Sequence, residues 1–425
     1  MPKHEQNSQD SVEVESAEMT TRASPFEHIP TEPKAFHDWI VSELGDSELA
    51  ERVSQRPDLT RELLEGEIPP AKGLFELLYE IRRTNSELAT TLVNFAAHTE
   101  RLLPLSYSRI EGRLSEEEKN DELIKRRFFA TQDLIKVHPL EKEKTPLEQA
   151  MFEFANTTTN SLREHYGQQP FVVDPAQIRL VAARSLSDEI GAPIGKFNMF
   201  SQDVKVATEG KEDRMKLNLV THEMFHFKGY GAMQFWDDKN GGKHVAKLRM
   251  GLTVYKPYSK EGGSVLDSYL NTLNEAVTEE LANRAMASIP VDHPLFGEFV
   301  KANREKAQEY FSGNSEEQEY LASSEWVAGF AELEDGTSVP LAAYTEERRM
   351  MYQLFGRMID RNPSLKELPI VEVRERLFGM LAEAYFTGNI LPFGRLFNET
   401  FGRGKFREFG HLQTVEEQRA FIASL

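Results

Sequence analysis

The stretch Leu217 to Gly231, LNLVTHEMFHFKGYG, constrains the chain more than any other. Leu217, Val220, Met224 and Phe227 recur at the period of one helical face, about 100° per residue. His222 and His226 stand four residues apart, so on the same helix both imidazoles project roughly opposite that stripe. The spacing predicts a helix with one face in the core and two nitrogen donors aimed from the other. Gly229 and Gly231 follow closely, and glycine most cheaply adopts the left-handed conformation that ends helices. The helix is therefore expected to stop just past His226.

The pattern is H-E-x-x-H. Two imidazoles at i and i+4 can reach a single Zn²⁺ at roughly 2.0–2.1 Å. Glu223 is offset around the helix from the two histidines, far enough to miss the ion and face the attacking water as a general base. Two histidines still leave a catalytic zinc one protein ligand short, since open tetrahedral sites use about three. The chain has no cysteine, which excludes disulfides and thiolate ligands alike. Any third ligand must be a histidine or a carboxylate.

At 425 residues the chain is long enough for a sizeable core and for two or three subdomains. Its net charge of -19 argues against a nucleic-acid partner, whose phosphates it would repel. No apolar run approaches the roughly 20 residues needed to span a bilayer. The start, MPKHEQNSQDSVEVES, lacks the apolar core of a signal peptide, so the expected compartment is the cytoplasm.

Patterning divides the chain into a polar disordered tail (1–33), an all-α lobe (34–144), a core of mixed helix and strand (145–290) and a helical C-terminal subdomain (291–425). Within the lobe, Ser115 to Asp121 is a charge run that reads as a solvated loop or helix start. In the core, Thr145-Pro146 opens a helix that breaks at Gly167. QIRLVAARS and KFNMFSQDVKVAT alternate as strands, and KHVAKLRMGLTVYKPY reads as two strands parted by Gly251. A capping-box-like start at Ser264 to Asp267 opens a long helix that Pro290 ends. Asp335-Gly336 marks a turn, and helical stretches run from Thr345 to the end. The expected class is α+β, mainly helical, with a small mixed sheet over the histidine helix.

That long helix contains NEAVTEE, with Glu275 and Glu279 one turn apart. The two motifs together resemble those of the gluzincin metallopeptidases, the thermolysin-like zincins, in which N-E-x-x-x-[DE] follows H-E-x-x-H on a second helix. The resemblance covers about residues 145–290 and implies a zincin-like catalytic domain that holds one catalytic Zn²⁺ and hydrolyses a peptide or protein substrate. It assigns His222, His226 and Glu275 to the metal and Glu279 to the orientation of a ligating histidine, with Glu223 as the base. It also implies an oxyanion donor from the C-terminal subdomain, for which Tyr344 and His293 are candidates.

The resemblance is partial. The gap from His226 to Glu275 is longer than in thermolysin, so the segment around KHVAKLRMGLTVY would be an insertion between the two helices. The metzincin pattern fails at Ala232, where it requires a histidine, and His244 remains a further candidate ligand. The competing reading is a zincin-fold metal-binding protein or pseudoenzyme with a regulatory or scaffolding role.

Overall fold

In the computed structural model the described residues are 28–45, 47–57, 107–112, 144–173, 177–181, 195–200, 202–208, 211–237, 243–256, 267–298 and 344–425, with shorter pieces between them. The expectations for the tail at 1–27 and for most of the run Ser115 to Asp121 fall outside these. The described chain is mainly helical with small mixed sheets, an α+β architecture. None of its helices is long and apolar enough to cross a membrane.

The core region opens as the sequence predicts. Thr145 caps the helix Pro146–His165 through a reciprocal capping box with Glu148, and the proline occupies the first turn, where its missing N–H costs nothing. Strands β2 (Ile178–Val181), β3 (Gly195–Asn198) and β4 (Asp203–Ala207) then form a sheet in the order β2-β4-β3, with β2 parallel and β3 antiparallel to β4. KFNMFSQDVKVAT is thus a hairpin, not a single strand, and Gln202 at its turn takes a φ of 51°.

The histidine helix, Asp213–Lys228, lies under this sheet. Leu219, Val220, Met224 and Phe227 join Ile178, Leu180, Val204 and Val206 in one apolar cluster. Leu217 and Phe225 belong instead to a second, larger cluster formed with the helices that follow. The one-sided helix expected from the sequence is therefore clasped between two cores, and Leu217 leaves the predicted stripe. Each fully buried Leu, Val, Met or Phe contributes roughly 1.5–3 kcal/mol, so this clasp fixes the helix firmly.

The helix does end at Gly229, but for a different reason from the one expected. Gly229 is extended, with a φ of -63° and a ψ of 170°. What requires glycine is space, because a Cβ there would stand 2.9 Å from the Tyr385 ring.

A five-stranded sheet follows, ordered β1-β5-β6-β7-β10. It comprises β1 (Arg109–Glu111), β5 (Gly231–Asp237), β6 (Lys243–Met250), β7 (Thr253–Lys256) and β10 (Asp267–Tyr269), with the small β8 (Ser259–Lys260) and β9 (Gly263–Ser264) hairpin between the last two. Gly251 turns β6 into β7 at a φ of +55°, as its position in the sequence implies. Three features depart from expectation. The region 34–144 is not helical throughout, since Arg109–Glu111 pairs in parallel with β5. Strand β5, directly after the histidine helix, has no counterpart in the sequence reading. The glutamate helix, Asn271–Ala287, starts not at Ser264 but after Leu270, because β10 pairs with β7 and sheet formation overrides the local capping pattern.

Strands β11 (Phe330–Glu332) and β12 (Ser338–Pro340) pair antiparallel on either side of the predicted Asp335-Gly336 turn. From Thr345 onward the chain is helical, and these helices pack on the glutamate helix to form the larger core.

Candidate metal centre

The histidine and glutamate helices face each other across a buried polar seam. His222 and His226 are 3% and 7% exposed, and Glu279 is fully buried. The two Nε2 atoms approach to 3.1 Å, and Glu275 Oε2 lies 3.2 Å from His226 Nε2 and 3.6 Å from His222 Nε2. The three donors fall within 4.8 Å of one another, a grouping that could hold a metal ion.

Hydrogen bonding behind the cluster sets its chemistry. His222 Nδ1 donates to Glu279 Oε2 at 2.8 Å, which leaves the Nε2 lone pair of the neutral ring pointing at Glu275. Glu279 is itself pinned, because Asn218 and Asn283 each donate an amide N–H to its Oε1 at 3.3 Å. Asn218 stands one turn before His222, and Asn283 one turn after Glu279. The sequence reading missed both asparagines, although their i,i+4 spacing to residues already singled out was a usable signal.

Two imidazole nitrogens and a carboxylate oxygen turned toward one point call for positive charge between them. Without an ion that charge is a proton. Burial would lower the pKa of His222, but the hydrogen bonds to Glu275 and Glu279 outweigh it and push the ring up to about 10. Burial likewise works to raise Glu275, yet His226 and His222 hold its carboxyl well below the usual range. A divalent cation meets the same demand, and a set of two histidines and one glutamate suits zinc among other metals. His226 Nδ1 is buried without a hydrogen-bond partner among the described residues, so only one of the two rings has its orientation fixed from behind.

Glu223 is 6% exposed and lies against the start of β3. A Cβ on Gly195 would stand 2.5 Å from Glu223 Oε1, and the backbone of Phe197 hydrogen-bonds the carboxylate. Burial raises the Glu223 carboxyl above its ordinary value, while His226 and His222 oppose this. A carboxyl so placed gives and takes protons closer to neutrality than one in water.

Tyr344, at a left-handed φ of 55°, stacks on His222 with ring centroids 5.2 Å apart and an interplanar angle of 8°. Its hydroxyl donates to Glu275, and burial together with the charges of Glu275, Glu223 and Glu279 pushes its pKa up, so the proton stays on. The structure thus brings Tyr344 to the cluster. His293 is elsewhere: its Nδ1 accepts from the backbone N–H groups of Leu295 and Phe296, and its ring stacks on Phe296. His244 sits on β6 opposite Trp236.

The seam is braced from the far side. Asn274 Oδ1 accepts from the backbone N–H of Leu252 at 2.8 Å, tying the β6–β7 turn to the residue preceding Glu275. Thr278 donates to the buried Tyr385 hydroxyl at 3.2 Å. Neither a family model, nor a curated protein sequence, nor a solved structure matches the chain.

Proposed function

We propose that the protein is a zinc-dependent metallopeptidase of gluzincin type, with a zincin-like catalytic domain at its centre. The observation that carries this reading is the convergence of His222 Nε2, His226 Nε2 and Glu275 Oε2 beside a buried Glu223 from the same helix. His222, His226 and Glu275 would hold the ion, which supplies Lewis acidity and lowers the pKa of water at the site from about 15.7 to about 7.

The chain's own residues supply the rest. Glu223, held against the start of β3, accepts the proton of the attacking water and passes it to the leaving amine. Tyr344, protonated and beside Glu275, can turn its hydroxyl to the oxyanion that develops on the scissile carbonyl. Glu279 keeps His222 in the tautomer whose Nε2 is free to bind. A metal-binding scaffold without chemistry would have no use for a carboxyl buried at the position of Glu223.

The test compares the unaltered protein with Glu223→Gln on a casein-type substrate. The variant is expected to retain zinc and its thermal midpoint while losing hydrolysis by about 10²–10⁴-fold, the range general-base catalysis contributes. Cleavage by the variant at the unaltered rate would remove Glu223 from the mechanism.

A further inference from the structure

The sheet β2-β4-β3 carries a charge pattern that the chemistry above does not use. Lys196 of β3 stands directly opposite Lys205 of β4, and Lys205 in turn beside Arg179 of β2. Residues in register share a face, so three cations stand abreast, and like charges so placed destabilise a sheet. Asp203, 3.6 Å from Arg179, offsets Arg179 and Lys205 and leaves the Lys196 end of the row to be met otherwise. A fourth cation arrives from the other sheet, where Lys247 Nζ lies 5.7 Å over the Phe200 ring and 5.8 Å over the Tyr255 ring. Burial and the charge of Lys196 both lower its pKa.

Among the described residues neither Lys196 nor Lys247 is paired with a carboxylate. This occurs in a chain whose net charge is -19, where carboxylates are abundant. Guarding an exposed strand edge accounts for one lysine on β3, the outermost strand of its sheet, but not for Lys247 on the interior strand β6.

The Lys196 end of the row lies one residue along β3 from the position that meets Glu223. Lys196 follows Gly195, the residue packed on Glu223 Oε1. Tyr255, beneath the Lys247 ammonium, is close enough to Glu275 that burial and that carboxylate push its hydroxyl up to about 12. Gly195 and Phe197 meet Glu223 and Phe227 on the helix side of β3, which places Lys196 on the opposite face. An extended chain passing this strand alternates its side chains between the same two faces. One side chain would turn toward the cluster and its neighbour toward the lysines.

We infer that Lys196 and Lys247 form a subsite for a carboxylate of the substrate, an acidic side chain or a free C-terminus, adjacent to the bond that is cleaved. The inference rests on the peptidase reading for its substrate class. The lysines recognise the charge and take no part in the reaction.

Binding tests it without requiring turnover. Fluorescein-labelled peptides are titrated by anisotropy against the full-length Glu223→Gln protein: a neutral amidated peptide, the same peptide with one Gln replaced by Glu at each position in turn, and the same peptide with a free C-terminus. One of the charged forms is expected to bind roughly tenfold tighter than its uncharged counterpart, by an amount that shrinks as salt rises. Which form gains decides between side chain and terminus. Lys196→Gln with Lys247→Gln should equalise the peptides, and Lys196→Glu with Lys247→Glu should reverse the preference toward a Lys-bearing peptide, a reversal that misfolding cannot produce. Equal binding of all peptides, or a preference that survives loss of both lysines, overturns the subsite. Cleavage of the same peptides by the unaltered protein is scored separately. A carboxylate preference with no cleavage removes the peptidase reading and leaves the subsite, and cleavage with no preference does the reverse.

Discussion

Two glutamates one turn apart sit at the cluster in unequal roles, and their contacts separate them. Glu275 Oε2 faces both Nε2 atoms, whereas Glu279 reaches only the rear nitrogen of His222. Removing the first should take away both charge and ligand; removing the second should loosen a histidine that still binds. Glu275→Gln is therefore expected to lose zinc on dialysis against a weak chelator, while Glu279→Gln keeps it with affinity reduced about 10–100-fold. If the two variants exchange behaviours, Glu279 is the ligand. Gly195 offers a milder probe of Glu223. A methyl there would collide with the carboxylate and displace it, so Gly195→Ala should slow turnover at least about tenfold with zinc content unchanged. A rate within twofold of the unaltered protein would show that Glu223 is not held by β3. Much of this cluster was legible in advance, because helical spacing alone sets His222 beside His226 and Glu275 beside Glu279. The left-handed backbone that swings Tyr344 onto His222 has no sequence signature, and an asparagine that clamps a carboxylate looks like any polar residue until its partner is in place.

The glutamate helix is bolted to the helix Thr345–Arg361 by Glu280, a fully buried carboxylate next to Glu279 in sequence. Arg348 donates to Glu280 Oε2 at 3.0 and 2.7 Å, and Arg284 and Tyr352 donate to Oε1 at 2.8 and 2.7 Å. Burial alone would raise this carboxyl, but Arg348 and then Arg284 overcome it and hold it at about 2, against 4.5 ordinarily. A depressed carboxyl contributes stability above its unfolded pKa and loses it as pH falls through the folded one. The joint should thus be at full strength above about pH 4.5 and weaken toward about pH 2, by on the order of 3 kcal/mol at 1.36 kcal/mol per unit. Denaturant titrations across that window should show the slope in the unaltered protein and a flatter one in Glu280→Gln, which begins several kcal/mol less stable because Arg348 stays buried without the Glu280 charge. An identical acid slope in both would assign acid sensitivity to other carboxyls. At this scale the sequence was a fair guide to helices, whose caps and periods are local, and to the β6–β7 hairpin with its glycine. It misplaced the start of the glutamate helix and passed over β5, since both depend on which strand lies alongside: β10 pairs with β7 across the β8–β9 hairpin, and β5 pairs with β1 from far earlier in the chain.

Across the whole molecule the histidine helix joins two cores, one formed with the β2-β4-β3 sheet and one with the C-terminal helices, and the metal cluster lies where the second begins. Residues on the histidine helix and the glutamate helix must be held together for three donors to converge, so an ion bound there ties local geometry to the stability of the assembly. A ligand that binds only the folded state stabilises it by RT ln(1 + [L]/Kd), about 2.7 kcal/mol when free metal exceeds Kd about 100-fold. For a chain of this length that corresponds to a rise of a few degrees in the thermal midpoint. Chelation should lower the midpoint by that amount and added zinc should restore it. Acid should reproduce the effect of chelation, because protonated imidazoles cannot bind metal. His222→Ala with His226→Ala should leave a midpoint that responds to neither chelator nor zinc. A midpoint unmoved by chelation in the unaltered protein, with elemental analysis finding no metal before treatment, would mean that the charge demanded by the cluster is met by protons alone and that no metal chemistry takes place there.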